Sequence, residues 1–240
     1  MNIKKYIPNL ITLGNLLCGC IAIIFVARLD FETAFFFVCF GIFLDFFDGF
    51  FARLFKVSSP LGLQLDSLAD MVTSGLVPGF TMFQLFQMTE YDSEVINKLS
   101  VFGFIITLGA CYRLANFNID TRQTNSFIGL PTPANALFIM SLPLIIIDNK
   151  LEVLTSVLTN HWFLVAITLL SAFIMNADIP LFSLKFKSKN VKDNLLQIIF
   201  LTISILLLLI FKFFGVALII LFYVLLSVVM NIFSKNTISK

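Results

Sequence analysis

The chain has 240 residues, 59% of them hydrophobic and only 12% charged, and its mean hydropathy is +0.99. A soluble domain is nearer half apolar and a quarter charged, so these values exclude an ordinary water-soluble fold and leave little room for a second domain beside a membrane bundle. The formal charge of +2 carries no nucleic-acid signal, and no nucleic-acid partner is expected.

Apolar runs near the length of a bilayer crossing recur from end to end and predict eight helical spans. The first, 7–27, is too long for the apolar core of a cleavable signal and is closed by no small-x-small site, so a retained span is expected. The second covers 33–54. Ser59-Pro60 then reads as an N-cap followed by proline at the first helical position, opening the third span at 60–88, whose first turns are expected in the interface. The remaining spans are 99–118, 130–147, 161–177, 194–211 and 214–233, separated by polar stretches at 89–98, 119–127, 148–160 and 178–193. The expected fold is an all-α polytopic transmembrane bundle forming one domain over 1–240.

With the N-terminus inside, the inner segments hold twelve of the sixteen Lys and Arg residues, and the outer ones hold only Arg28, Lys98, Lys150 and Lys212 beside seven acids. That bias predicts that both termini face the cytoplasm of a multi-pass protein of the cell (inner) membrane. His161-Trp162, at the outer edge of the sixth span, suits an interfacial aromatic belt. Cys18, Cys20, Cys39 and Cys111 all lie within apolar runs and read as small packing residues. Cys18 and Cys20 make only a C-x-C without nearby His or Cys, which supports no zinc site.

Four acids resist a packing explanation. Asp45, Asp48, Asp66 and Asp70 interrupt otherwise apolar helices, and four carboxylates at the bilayer centre cost roughly 10 kcal/mol or more on insertion scales. Asp45 lies eight residues before Arg53, about 12 Å of helix rise, so the site is expected below the headgroups yet within reach of the cytoplasm. Asp45, Asp48, Gly49 and Ala52 share one helical stripe, and Gly62, Asp66 and Asp70 share another. The short connection from Leu54 to Ser59 makes the two helices antiparallel neighbours. Facing stripes would pool four carboxylates that cannot all stay ionised without cations. Their all-oxygen donor set points to Mg²⁺ or Mn²⁺. A structural ion-pair network is the bland alternative, but only Arg53, Lys56 and Arg113 stand near enough in sequence to supply it. Gly49, Ala52 and Gly62 either let helices pack closely or leave room for a bulky ligand. Arg53 is either a positive-inside flank or a phosphate contact.

In order, the residues read Asp45-x-x-Asp48-Gly49-x-x-Ala52-Arg53, eight further residues, then Gly62-x-x-x-Asp66-x-x-x-Asp70. This pattern resembles the complete signature of the CDP-alcohol phosphotransferase family. Further segments are similar to its bacterial phosphatidylserine synthase branch. They are Ile7-Pro8-Asn9-Leu10-Ile11-Thr12 with Asn15, Leu65 to Val72, Arg113-Leu114-Ala115 through Phe117-Asn118, and Gly129 to Ala136. Residues 178–186 are weakly similar and the last two spans are generic. One departure stands out: Asn116 occupies a position where that branch commonly has arginine.

The resemblance implies that Asp45, Asp48, Asp66 and Asp70 bind two divalent ions and that Asp70 also acts as general base. It implies CDP-lipid contacts at Asp45, Gly49, Arg53 and Gly62, with Asn9, Thr12, Ser67 and Thr73 as further candidates. Arg113, Asn118, Thr132 and Asn135 are nominated for the acceptor pocket, against interhelical hydrogen bonding as the alternative. The implied reaction moves a phosphatidyl group from CDP-diacylglycerol to L-serine and releases CMP, in a homodimer surrounded by membrane lipid. Glycerol 3-phosphate or inositol phosphate as acceptor is the rival within the family. An ion-coupled transporter is the rival outside it; that reading would ask for inverted repeats or broken helices in matching halves, and neither is visible.

Overall fold

A computed structural model describes residues 6–57, 59–89, 99–120, 128–148, 152–182 and 194–238. Every regular element among them is helical. Helix α1 (Ile7–Ala27) starts with Pro8 in its first turn, and α2 (Phe31–Phe55) is capped by Asp30, whose carboxylate accepts from the Thr33 amide at 3.1 Å. Lys56 ends α2 in the left-handed region at φ 55°. Ser59 then caps α3 (Pro60–Asp70) by accepting from the Gly62 amide at 3.1 Å, with Pro60 at the first helical position.

The helix does not stop at Asp70. It widens into a π-helical segment, Met71–Leu76, and continues as α4 (Val77–Gln87). Pro78 contributes no N–H to the ladder at this point, and side chains from neighbouring helices bond the segment instead. Thr107 donates to the Gly75 carbonyl at 3.0 Å, and Thr73 donates to the Asn15 carbonyl at 3.0 Å. Such π-turns recur at functional sites; this one begins directly after a signature aspartate.

A 3₁₀ turn (Ser100–Phe104) leads into α5 (Ile105–Phe117), and α6 (Thr132–Asp148) accommodates Pro143 internally. Helices α7 (Glu152–Leu158) and α8 (His161–Asn176) meet at 69°. Helices α9 (Leu195–Phe211) and α10 (Phe213–Ile238) follow. By length and composition four helical segments are able to cross a membrane, or five if the bent α7–α8 pair is one span; α6 and α9 are apolar but shorter. The segment before α6 is tied to the segment after α8, with the Gly129 amide donating to Ile179 at 2.9 Å and the Leu130 amide to Ile174 at 3.1 Å.

Two apolar clusters hold the bundle. One joins α4, α5, α6, α8 and α10 through buried residues such as Met82, Ile106, Ile139 and Leu164. The other packs Ala22, Val26, Phe35 and Val38 of α1 and α2 against Met140 and Leu144 of α6. Outward positions of α2, including Phe36, Phe40, Phe43 and Phe46, stay exposed, as expected where the surrounding solvent is lipid.

Two surface expectations need correction. His161 is buried with its ring 5.0 Å from that of Phe86, while Trp162 alone is exposed. The imidazole therefore packs inward at the start of α8 rather than joining an outer aromatic belt. Of the cysteines only Cys18 is buried; Cys39 is half-buried, and Cys20 and Cys111 lie on the surface. Among the cations used for orientation, Lys4, Lys5, Lys98, Arg122, Lys150 and Lys240 lie outside the described residues, as do Lys185, Lys187, Lys189 and Lys192.

Candidate functional site

The site is assembled where α1 packs between α2 and α3. The α1 face turned inward carries Pro8, Thr12, Asn15 and Gly19, all buried. Thr12 donates its hydroxyl to Asp48 on α2 at 2.5 Å, and Asn15 donates its side-chain amide to Asp70 at the end of α3 at 3.1 Å. The Pro8 carbonyl also lies 3.0 Å from the Thr12 oxygen. A hydroxyl has one proton to give, and an ionised carboxylate takes it in preference to a peptide carbonyl.

One oxygen each from Asp45, Asp48 and Asp66 lie within 4.8 Å of one another. The Asp45 and Asp66 carboxylates approach each other within that distance, and Asp45 Oδ1 is buried without a partner. Two ionised carboxylates have no proton to share, and in that state a cation between them relieves their repulsion. Asp70 is not part of the triad. It is held to one side by Asn15. Among the described residues none of the four aspartates forms a salt bridge with Lys or Arg. The ion-pair alternative thus lacks its partners. Hard oxygen donors, a buried orphan oxygen and the lack of a salt-bridged Lys or Arg among the described residues all fit a divalent ion.

A cavity of about 190 Å³ adjoins the triad, with Thr12, Asp48 and Asp66 on its walls. It continues past Gly49, Ala52 and Arg53 of α2 and past Asn9, Ser59 and Gly62. A Cβ at Gly62 would come within 3.3 Å of both Asn9 Oδ1 and Ser59 Oγ, and one at Gly49 would stand 3.4 Å from the Arg53 guanidinium. Both glycines line the space beside the carboxylates, and a side chain at Gly62 would crowd Asn9 and Ser59. Its polar groups, a guanidinium, an amide and hydroxyls, are donors suited to a phosphate-bearing ligand.

Other sequence-nominated residues are placed differently. Ser67 does not line this cavity; its hydroxyl accepts from the Asn118 amide at 2.9 Å. Thr73 is fully buried and spends its proton on the Asn15 carbonyl. Arg113 is buried within α5, its guanidinium 5.8 Å over the Phe117 ring, and it lines a separate small cavity with Asn116, Asn176 and Asp178. Thr132 is buried at the start of α6 with no partner for its hydroxyl. Asn135 accepts from the Ser171 hydroxyl of α8, leaving its amide nitrogen unpartnered. Arg113, Asn118, Thr132 and Asn135 are thus not gathered around one cavity.

Asn15 is the site residue that the two-stripe argument misses. The signal was available: Thr12, Asn15 and Gly19 fall at helical spacing on one face, a polar stripe in a span that is otherwise apolar.

A family model described as CDP-alcohol phosphatidyltransferase matches residues 5–173. A CDP-diacylglycerol–serine O-phosphatidyltransferase of Bacillus subtilis is 37% identical over 133 residues, 54% of this chain and 70% of that protein. A Helicobacter pylori protein of the same name is 32% identical over 198 residues, covering 82% of this chain and 80% of the relative. A CDP-diacylglycerol–glycerol-3-phosphate 3-phosphatidyltransferase of Aquifex aeolicus is 35% identical over 96 residues, 40% of this chain and 50% of that protein.

Proposed function

The chain belongs to the CDP-alcohol phosphatidyltransferase family, and on that premise we propose that it transfers a phosphatidyl group from CDP-diacylglycerol to L-serine, giving phosphatidylserine and CMP. The observation that carries the reading is the Asp45, Asp48 and Asp66 triad beside a cavity walled by Arg53 and two glycines. That arrangement supplies charge compensation and positioning, which is what phosphoryl transfer asks of a protein.

Asp45, Asp48 and Asp66 would hold a divalent ion, Mg²⁺ or Mn²⁺, with Asp70 completing the site for a second. When bound, such ions neutralise the diphosphate and stabilise in-line displacement at phosphorus. Arg53 and Asn9 bind and orient the CDP diphosphate, while Gly49 and Gly62 let it approach the helix backbones. Asp70 takes the proton of the serine hydroxyl as its oxygen forms a bond to the β-phosphorus; the bond from that phosphorus to the CMP oxygen breaks, and CMP leaves. The acyl chains stay in lipid between helices. Arg113 is the one cation of the nominated acceptor group, and its charge reaches Asp70, which suits a contact with the serine carboxylate.

The chain crosses the inner membrane eight times in this reading, with both termini and the mouth of the cavity on the cytoplasmic side, where CDP-lipid headgroup and serine meet. It acts as a homodimer. The test is an acceptor panel: purified protein, CDP-diacylglycerol and Mg²⁺ or Mn²⁺ with serine, glycerol 3-phosphate or inositol phosphate, each lipid product identified by mass. Phosphatidylserine made only with serine is the expected result. Phosphatidylglycerol phosphate instead would favour the second reading, which the Aquifex aeolicus relative supports.

A further inference from the structure

We infer that Asn15 is a positioning residue for the transfer: its side-chain amide sets the orientation of the Asp70 carboxylate, keeping one oxygen free for the acceptor hydroxyl. This rests on the reading of Asp70 as the proton acceptor. Asn15 is fully buried and Asp70 nearly so, and Asn15 Nδ2 lies 3.1 Å from Asp70 Oδ1. Among the described residues this is the one hydrogen bond that Asp70 accepts through its side chain. Oδ1 is occupied by the amide and Oδ2 is left over. A carboxylate with no such donor would rotate about its terminal torsion, which is broad for aspartate.

The donor is itself held in place. Thr73, three residues past Asp70 in the π-helical segment, donates to the Asn15 carbonyl at 3.0 Å, so the turn that carries the base is bonded to the residue that aims it. Gly19 and Gly41 make the approach possible. A Cβ on Gly41 would stand 2.9 Å from Asn15 Oδ1 and 2.8 Å from the Thr73 methyl, and one on Gly19 would meet Thr73 at 2.5 Å. With α2 this close, the amide has little space for another rotamer. Asn15 Oδ1 is buried and accepts no hydrogen bond. An amide placed only to satisfy itself would engage both ends; this one engages Asp70 by its nitrogen alone.

The experiment uses the full chain purified in detergent, assayed for CMP release with CDP-diacylglycerol and saturating divalent ion. Asn15→Leu keeps the volume and removes the donor. The expected result is a kcat lowered about 30–100-fold, the scale of a misplaced reacting group, with KM for serine and for the lipid within about threefold. Thermal stabilisation of the protein by CDP with the ion, which reads the binding cavity without turnover, should match wild type. Asn15→Ala carries the same expectation should the leucine not be tolerated. A kcat near wild type in either folded variant overturns the inference. So does a fall in CDP-dependent stabilisation parallel to the fall in rate, or failure of both variants to fold, because either result makes Asn15 a packing residue. If wild type makes no phosphatidylserine, the acceptor assignment fails separately, and the same ratio is read with whichever alcohol drives CMP release.

Discussion

Replacing Thr12 by valine tests whether α1 governs the cation site. The side chains are nearly isosteric, so the substitution removes one O–H and little else. Thr12 and Asp48 are both buried and their oxygens stand 2.5 Å apart, the short end of the O–H···O range. A hydrogen bond to a charged group contributes about 1.5–3 kcal/mol, and burial prevents water from replacing the lost donor. If that energy orients Asp48 for ligation, the divalent-ion concentration for half-maximal rate should rise about 10–100-fold, the usual effect of removing a partner that orients a metal ligand. At saturating ion, kcat should return to within about threefold of wild type. The assay is CMP release in mixed micelles titrated with Mn²⁺, with Mn²⁺ binding followed by electron paramagnetic resonance in the absence of substrate. An unchanged binding curve together with a raised KM for CDP-diacylglycerol would refute the reasoning and make Thr12 a direct nucleotide contact.

Asp70→Asn should lower transfer by about a thousandfold or more, the upper end for loss of a group acting on the transferred proton, while CDP-lipid still raises the melting temperature; turnover near wild type removes Asp70 as base. Arg113→Ala should raise KM for serine about tenfold and that for the lipid less than twofold, the loss of one charge-assisted contact; a change confined to the lipid rejects its pocket assignment.

Much of the fold was legible because each predicted span is set by its own local composition. The run 7–27 is the helix Ile7–Ala27, and 161–177 is His161–Asn176, its start fixed by Asn160 accepting from the Phe163 amide at 3.2 Å. The third span, 60–88, runs as helix from Pro60 to Gln87, capped by Ser59 as its sequence suggests, but the π-turn inside it was not visible. Thr107, 32 residues away, bonds the Gly75 carbonyl of that turn, and no local periodicity encodes such a bond. The same limit applies to the site. Spacing on α2 and α3 anticipated the meeting of Asp45, Asp48 and Asp66, since the first two share a helix and the third lies on the next one, joined by a short connection. The roles of Thr12 and Asn15 depend on partners 36 and 55 residues distant. His161 was misread for a related reason: it packs against Phe86 on α4, a contact between elements rather than a property of the segment.

The signature spacing makes four aspartates look equivalent, whereas α1 divides them. Its hydroxyl at Thr12 is spent on an acid of the triad, and its amide at Asn15 on the acid outside it. One acid belongs to the triad and the other does not, so the two respond differently to neutralisation. Asp48 lies within 4.8 Å of its partners, where removing one charge weakens the shared attraction for a cation. Asp48→Asn should therefore shift the divalent-ion titration by about tenfold or more and be largely overcome by added ion. Asp70→Asn should resist rescue at any ion concentration, because a lost proton acceptor is not replaced by filling the cation site. Rescue of both variants to the same extent would mean that the four acids act as one cluster, and the division made by the first helix would carry no chemical consequence.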